Sequence, residues 1–288
     1  MKKILGLLLV FALLAAGCGG GGTDSNNDTP DVQEEVQEET NDDVSDVGGG
    51  RIDAIMQAGE IVMFTNAEFP PYEFLEDNEI VGVDVEIGKA IAERLGVELR
   101  IENSEFGGII AAIQAGRGDM AISGITIRDD RLELVDFSTP YVNSIQYIIV
   151  PEGSDINYME DLEGKTAGVQ TGTTGAMFVE DEISDGVLTG RNASTSHYNS
   201  APSAMQDLLT GRIDAVVIDE HVAIMIAAEH DGFTAIPFEY QTGQPVREYY
   251  GIAIQKGNED LLVVINEVVE EMVSQGLIEH YIEFFTRG

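Results

Sequence analysis

Ala115-Gly116-Arg117-Gly118-Asp119-Met120-Ala121-Ile122 is echoed later in the chain by Thr210-Gly211-Arg212-Ile213-Asp214-Ala215-Val216-Val217. In both stretches a helix pattern ends at Gly, turns through Arg-x-Asp and enters an apolar strand. Glycine takes the left-handed C-cap position without steric cost, so it stops the helix. The echo predicts two lobes of similar build, each offering the carboxyl ends of its strands to a shared cleft, where open α/β sheets bind ligands. Working outward, Glu60–Phe64 reads as a strand. Asp84 reads as an N-cap, followed by Ile87, Ile91 and Leu95 at helical spacing and by Gly96 as C-cap. Leu99–Glu102 is a second strand, Ile109 and Ile113 mark a helix stopped at Gly116, and Met120–Ser123 is a third strand. Such alternation implies an α/β fold with mainly parallel sheets and crossover helices.

Composition narrows the function. Hydrophobic residues make up 43% of the 288, enough for a sizeable core. Against 15 Lys plus Arg stand 52 acidic residues, a formal net charge of −37. That surface repels nucleic-acid phosphates and anionic headgroups, which argues against a DNA or RNA partner. A solubilising shell and adaptation to high salt both account for the acidity.

Lys2 and Lys3 precede an apolar stretch, Ile4 to Ala16, that is too short to span a bilayer. Ala15, Ala16 and Gly17 then lead into Cys18, the only cysteine, so no disulfide can form within the chain. Residues 1–18 resemble a bacterial lipoprotein signal peptide, which implies a diacylated Cys18 and an extracytoplasmic protein held to the membrane by lipid. That motif prefers Leu three residues before the cysteine, whereas Leu14 lies four before it. Residues 19–50 are Gly-rich and then acidic and polar, without Lys, Arg or aromatic side chains. They read as a disordered tether.

Six motifs follow one another in the remainder. They are Phe69-Pro70-Pro71-Tyr72-Glu73-Phe74; Val81-Gly82-Val83-Asp84-Val85-Glu86; Ile122-Ser123-Gly124-Ile125-Thr126-Ile127 with Arg131; Val135-Asp136-Phe137-Ser138-Thr139-Pro140-Tyr141; Gly164-Lys165-Thr166-Ala167-Gly168-Val169-Gln170; and Gly172-Thr173-Thr174. Together they resemble the bacterial solute-binding proteins of family 3, which serve polar amino-acid ABC transporters. The resemblance covers residues 51–288. It implies a type II periplasmic-binding-protein fold, with two α/β lobes joined by two crossing hinge strands near Ser144–Gln146 and Arg247–Tyr250. Lobe 1 is then 51–144 plus 250–288, and lobe 2 is 145–249.

A free amino acid presents a carboxylate and an ammonium, and a binding site must pair each as it removes water. Arg131 matches the family's carboxylate partner, and its guanidinium presents two parallel donors; Arg128 reads as the solvated arginine. Asp219, closing the strand Ala215–Ile218, matches the ammonium partner, while Glu220 starts the next helix. Thr126 adds a hydroxyl and an N–H, Gly124 lets the ligand approach the main chain closely, and Ser123 beside it belongs to the ligand-binding set. Thr173 and Thr174 stand at a strand-to-helix turn, where free N–H groups favour a carboxylate. Phe69, placed on a loop by Pro70-Pro71, and Phe106 match the aromatic walls. Asn66 stands where many relatives that bind basic ligands carry Asp, and Gln170 can bond a polar side chain. Glutamine, arginine or another polar amino acid fits this set.

No cofactor is expected: Gly172-Thr173-Thr174-Gly175 lacks a P-loop lysine, and His197, His221, His230 and His280 are not spaced as metal ligands. The expected protein is a monomer that hands its ligand to an ABC permease and breaks no bond. A dehydratase on the same fold would need a general acid over the substrate, and none is nominated. A sensor feeding a receptor is the remaining alternative.

Overall fold

The computed structural model describes residues 50–287. The expected signal peptide, Cys18 and the expected tether up to residue 49 lie outside the described residues. The chain runs α1 (Arg51–Ala58), β1 (Glu60–Thr65), β2 (Glu68–Phe69), β3 (Glu73–Glu76), β4 (Glu79–Val81), α2 (Val83–Leu95), β5 (Glu98–Asn103), α3 (Ile109–Gln114), β6 (Met120–Ala121), α4 (Asp129–Leu132) and β7 (Val135–Phe137). It continues through β8 (Val142–Pro151), β9 (Thr166–Gln170), α5 (Thr174–Asp185), β10 (Ser194–Tyr198), α6 (Ala201–Leu209), β11 (Ala215–Asp219), α7 (Glu220–Ala228) and β12 (Phe233–Pro237). It closes with β13 (Arg247–Tyr250), β14 (Ala253–Gln255), α8 (Glu259–Ser274) and α9 (Leu277–Arg287).

Two sheets have the orders β5-β1-β6-β14-β7 and β10-β9-β11-β8-β12. In each, the first three strands are parallel and the fourth is antiparallel to both its neighbours. Four strands of five therefore point the same way, and the reversed strand, β14 or β8, is in each case one that the chain enters from the connection between lobes. β8 and β13 pair across that connection, with Glu248 opposite Ser144.

The sequence echo is a structural repeat. Gly116 and Gly211 both end helices at positive φ, 68° and 69°. The strands that follow, β6 and β11, occupy the same third place in their sheets. Asp119 accepts from the Val62 N–H at 2.7 Å, and Asp214 accepts from the Thr166 N–H at 2.7 Å. In each lobe this carboxylate satisfies a strand donor that the ladder leaves free.

Helix α2 shows how patterning positions the site. Ile87 and Ile91 are fully buried and pack with Ile61 and Met63 of β1, and Gly96 ends the helix at φ 69°. Each such aliphatic side chain contributes about 1.5–3 kcal/mol by leaving water. In the second lobe Val169 and Val217 meet Ala176 and Val179 of α5. These anchored strands fix where their carboxyl ends emerge.

Three local expectations change. Asp84 is not the N-cap: Gly82 holds that position, and Asp84 turns inward within the first turn of α2. Phe69 is not on a loop, because it pairs with Glu73 in the short ribbon β2-β3. β6 is only Met120–Ala121, so Ser123 lies beyond the ladder in the turn.

Candidate functional site

The strand ends of both lobes converge. From lobe 1, Asn66 follows β1, Phe69 lies in β2, Phe106 opens the turn before α3, and Gly124 and Thr126 follow β6. From lobe 2, Gln170 ends β9, Thr173 and Thr174 begin α5, and Asp219 ends β11. These nine residues line one cavity with about 280 Å³ of empty space. The sequence-predicted Ser123 and Arg131 lie just outside that lining.

Each side chain is held by its neighbours. The Asn66 N–H donates to Ser123 Oγ at 3.0 Å, and its amide donates to the Ser104 carbonyl at 3.0 Å. Gly124 sits at φ 50°, and a Cβ there would lie 2.4 Å from the Phe69 ring. Glycine is therefore required both by the backbone and by the stacked aromatic wall. Thr173 is the N-cap of α5: its hydroxyl accepts from the Ala176 N–H at 3.2 Å and donates to the Gln170 carbonyl at 2.8 Å. Asp219 occupies the N-cap position of α7 without using its side chain as a cap; its carboxylate accepts from Tyr250 O–H at 2.5 Å.

The lobes touch across the cavity. Gln170 Nε2 donates to Asn66 Oδ1 at 3.1 Å, and Thr174 Oγ1 donates to Thr126 Oγ1 at 2.9 Å. Arg131 is 4% exposed. Its Nη1 donates to the Thr126 carbonyl at 2.7 Å, its Nη2 to the Gly172 carbonyl at 3.0 Å, and its guanidinium lies 5.5 Å from the Phe106 ring centre. Burial, helped by nearby Arg128, pulls its pKa down to about 10, so it stays cationic at neutral pH. Arg128 departs from expectation: its side chain is 15% exposed, and it reaches Thr174 Oγ1 at 3.2 Å while pairing with Asp130.

Sequence reasoning missed Glu248. This residue of β13 is 1% exposed. It accepts from Thr126 Oγ1 at 3.1 Å and from Gln146 Nε2 at 2.8 Å. Burial, and then the adjacent Asp219 carboxylate, push its pKa well up, which favours the un-ionised acid. Strand alternation was the available signal, since Glu248 shares the inward face with Tyr250. Tyr250 and Tyr72 stack edge to face beneath Phe69, with centroids 5.2 Å apart. The site thus offers a buried guanidinium, a buried carboxylate, amide carbonyls and aromatic faces. Among the described residues no cluster of His, Cys, Asp and Glu could hold a metal, and no helix is long and apolar enough to cross a membrane.

Comparison with known proteins identifies what the chain is similar to. The sequence model of the bacterial extracellular solute-binding proteins, family 3, matches residues 61–286. The L-cystine-binding protein TcyJ of Escherichia coli is 30% identical over 234 residues, covering 80% of this chain and 84% of its own. An ancestral arginine-binding protein, solved with arginine and with glutamine, is 37% identical in both forms, with TM-scores of 0.71 and 0.70. Each form covers 79% of this chain, and 98% and 97% of the ancestral chain is matched. The arginine-bound amino acid ABC transporter substrate-binding protein AbpA of Streptococcus pneumoniae is 28% identical with a TM-score of 0.74, covering 82% of this chain and 98% of its own.

Proposed function

Because the chain belongs to the bacterial extracellular solute-binding proteins of family 3, we propose that it captures a polar amino acid outside the cytoplasm and delivers it to an ABC importer. The observation that carries this reading is the convergence of nine residues from both lobes on one cavity, with Arg131 and Asp219 buried beside it. Arg131 takes the ligand carboxylate, helped by Thr126 and the α5 N-terminus, and Asp219 takes the ammonium. Ser123 and Gly124 form the wall behind the ligand, which lies between Phe69 and Phe106.

The side-chain end faces Asn66 and Gln170. Gln170 Oε1 is buried and has no donor among the described residues. Carbonyl acceptors suit a ligand amide or guanidinium and penalise a carboxylate, which would be desolvated without a donor. Glutamine and arginine are therefore the favoured ligands, and glutamate is disfavoured. The lobes already bond each other across this cavity. An amino acid can enter only when the lobes part, and binding then selects the closed arrangement.

Lobe 1 comprises 51–144 and 250–288, and lobe 2 comprises 145–249, moving about the β8-β13 pair. The protein works as a monomer, anchored outside the membrane through Cys18 and the tether 19–50, and breaks no bond in its ligand. A thermal-shift panel of the common amino acids on residues 51–288 tests the reading, because a ligand of the folded state raises the midpoint by mass action. Glutamine or arginine is expected to give the largest shift. No shift with any amino acid overturns the proposal.

A further inference from the structure

Two carboxyl groups lie inside the first lobe, behind the cleft wall and outside the set of ligand residues. Glu73 of β3 and Asp84 of α2 are both 0% exposed. Glu73 Oε1 accepts from Ser123 O–H at 2.6 Å. Asp84 Oδ2 accepts from the Gly124 N–H at 2.8 Å and from Tyr141 O–H at 2.9 Å. The other two oxygens, Glu73 Oε2 and Asp84 Oδ1, have no donor among the described residues. Because Ser123 and Gly124 are consecutive, these bonds bring the two carboxyls side by side. Two bare anionic oxygens held together away from water would each carry an unpaid desolvation cost and repel. A single proton removes both problems, since one carboxyl becomes a donor and the other remains its acceptor.

We propose that Glu73 and Asp84 share one proton, with Glu73 as the acid, and that this proton positions Ser123 and Gly124 at the first-lobe wall of the cleft. The direction follows from the donor count. Asp84 already receives an N–H and an O–H, which stabilise its carboxylate, whereas Glu73 receives only one O–H. The chain of bonds then runs from Asp84 through Glu73 to Ser123, whose Oγ accepts from the Asn66 N–H. The groups facing the pair are Tyr72 from the adjoining turn, Tyr141 ahead of β8, and Asp219 of β11, all neutral or anionic. Burial and Asp84 push the Glu73 pKa well up, and burial lifts Asp84 to about 6 despite its donors. Raising the pH until this proton leaves puts two adjacent anions under the turn that carries Ser123 and Gly124. Glu73 is on this view a positioning residue.

Glu73→Gln is the isosteric test: its carbonyl still accepts from Ser123, and its amide N–H replaces the shared proton. Three readouts apply. Infrared spectra of the wild-type protein at neutral pH are expected to contain an un-ionised carboxyl band that Glu73→Gln removes. An acid whose pKa is raised by folding contributes stability fully present below its unfolded value and lost as pH rises towards the folded value. The wild type should therefore lose stability relative to Glu73→Gln with rising pH, by up to about tenfold in the unfolding constant per pH unit. Amino-acid affinity in the wild type should fall as the pH passes the folded value and the proton leaves, while the Glu73→Gln profile stays flatter. This last readout rests on the proposed function; the infrared and unfolding measurements need no ligand, so the two failures are distinguishable. No un-ionised carboxyl band in the wild type, a measurement that needs no variant, overturns the proposal, as do parallel pH profiles of the two proteins.

Discussion

Arg131 keeps its charge in a nearly dry position because two main-chain carbonyls and the Phe106 ring replace water. Those carbonyls belong to different lobes, so the guanidinium latches the closed state, and in the proposed function it also meets the ligand carboxylate. Removing one side of a buried charge pair costs about 2–5 kcal/mol, or about one and a half to three and a half decades of affinity. Arg131→Ala is expected to lose that much in calorimetric titration. Arg131→Lys should recover only part, because an ammonium lacks the planar fork. Arg128 would be a poor control, since it touches Thr174 across the cleft. Arg191, exposed and paired with Glu163, is a better one: Arg191→Ala should change affinity by less than about 1 kcal/mol. Equal effects at 131 and 191 would remove Arg131 from the site.

The turn between β9 and α5 meets the facing lobe, where Arg131 bonds the Gly172 carbonyl. Gly172 has φ 83°, and a Cβ there would sit 3.1 Å from Gly107 Cα on the facing lobe. Backbone cannot yield as a flexible side chain can, so Gly172→Ala should wedge the lobes apart. Ligand affinity is expected to fall by about tenfold, equivalent to 1.4 kcal/mol, in calorimetric titration. Gly190 separates this from plain backbone strain: it has φ 72° but nothing within 4 Å of a Cβ. Gly190→Ala should lose about 1 kcal/mol of stability while keeping affinity. An affinity loss as large at 190 as at 172 would refute the wedge.

Across residues 51–288, 42 acidic against 13 basic side chains give a net charge of −29, which makes self-repulsion a term that salt can relieve. The denaturant midpoint of residues 51–288 should rise between roughly 0.05 and 2 M salt, continuing beyond the range where Debye screening is complete. A flat or falling midpoint would leave the acidity with a solubilising role only. At the membrane, Cys18→Ser in the full chain should move the protein into the soluble fraction with unchanged ligand affinity. An unchanged membrane fraction would reject the lipid anchor.

The alternation of strands and helices, and the duplication of the Gly-Arg-x-Asp joint, were readable in the sequence because periodicity and glycine placement are local. Asp219 could be nominated for the same reason, since the apolar run Ala215–Ile218 stops at it, whereas Asn66 and Gln170 are nominated through the family resemblance. Even Glu248 left a trace in its alternation with Tyr250. What no local pattern carries is which side chains meet. That Arg131 bonds Gly172, that Arg128 reaches Thr174, and that Asp84 turns inward to the Gly124 N–H and Tyr141 depend on packing between segments far apart in the chain. Burial decides their charge states, and only the tertiary structure sets burial.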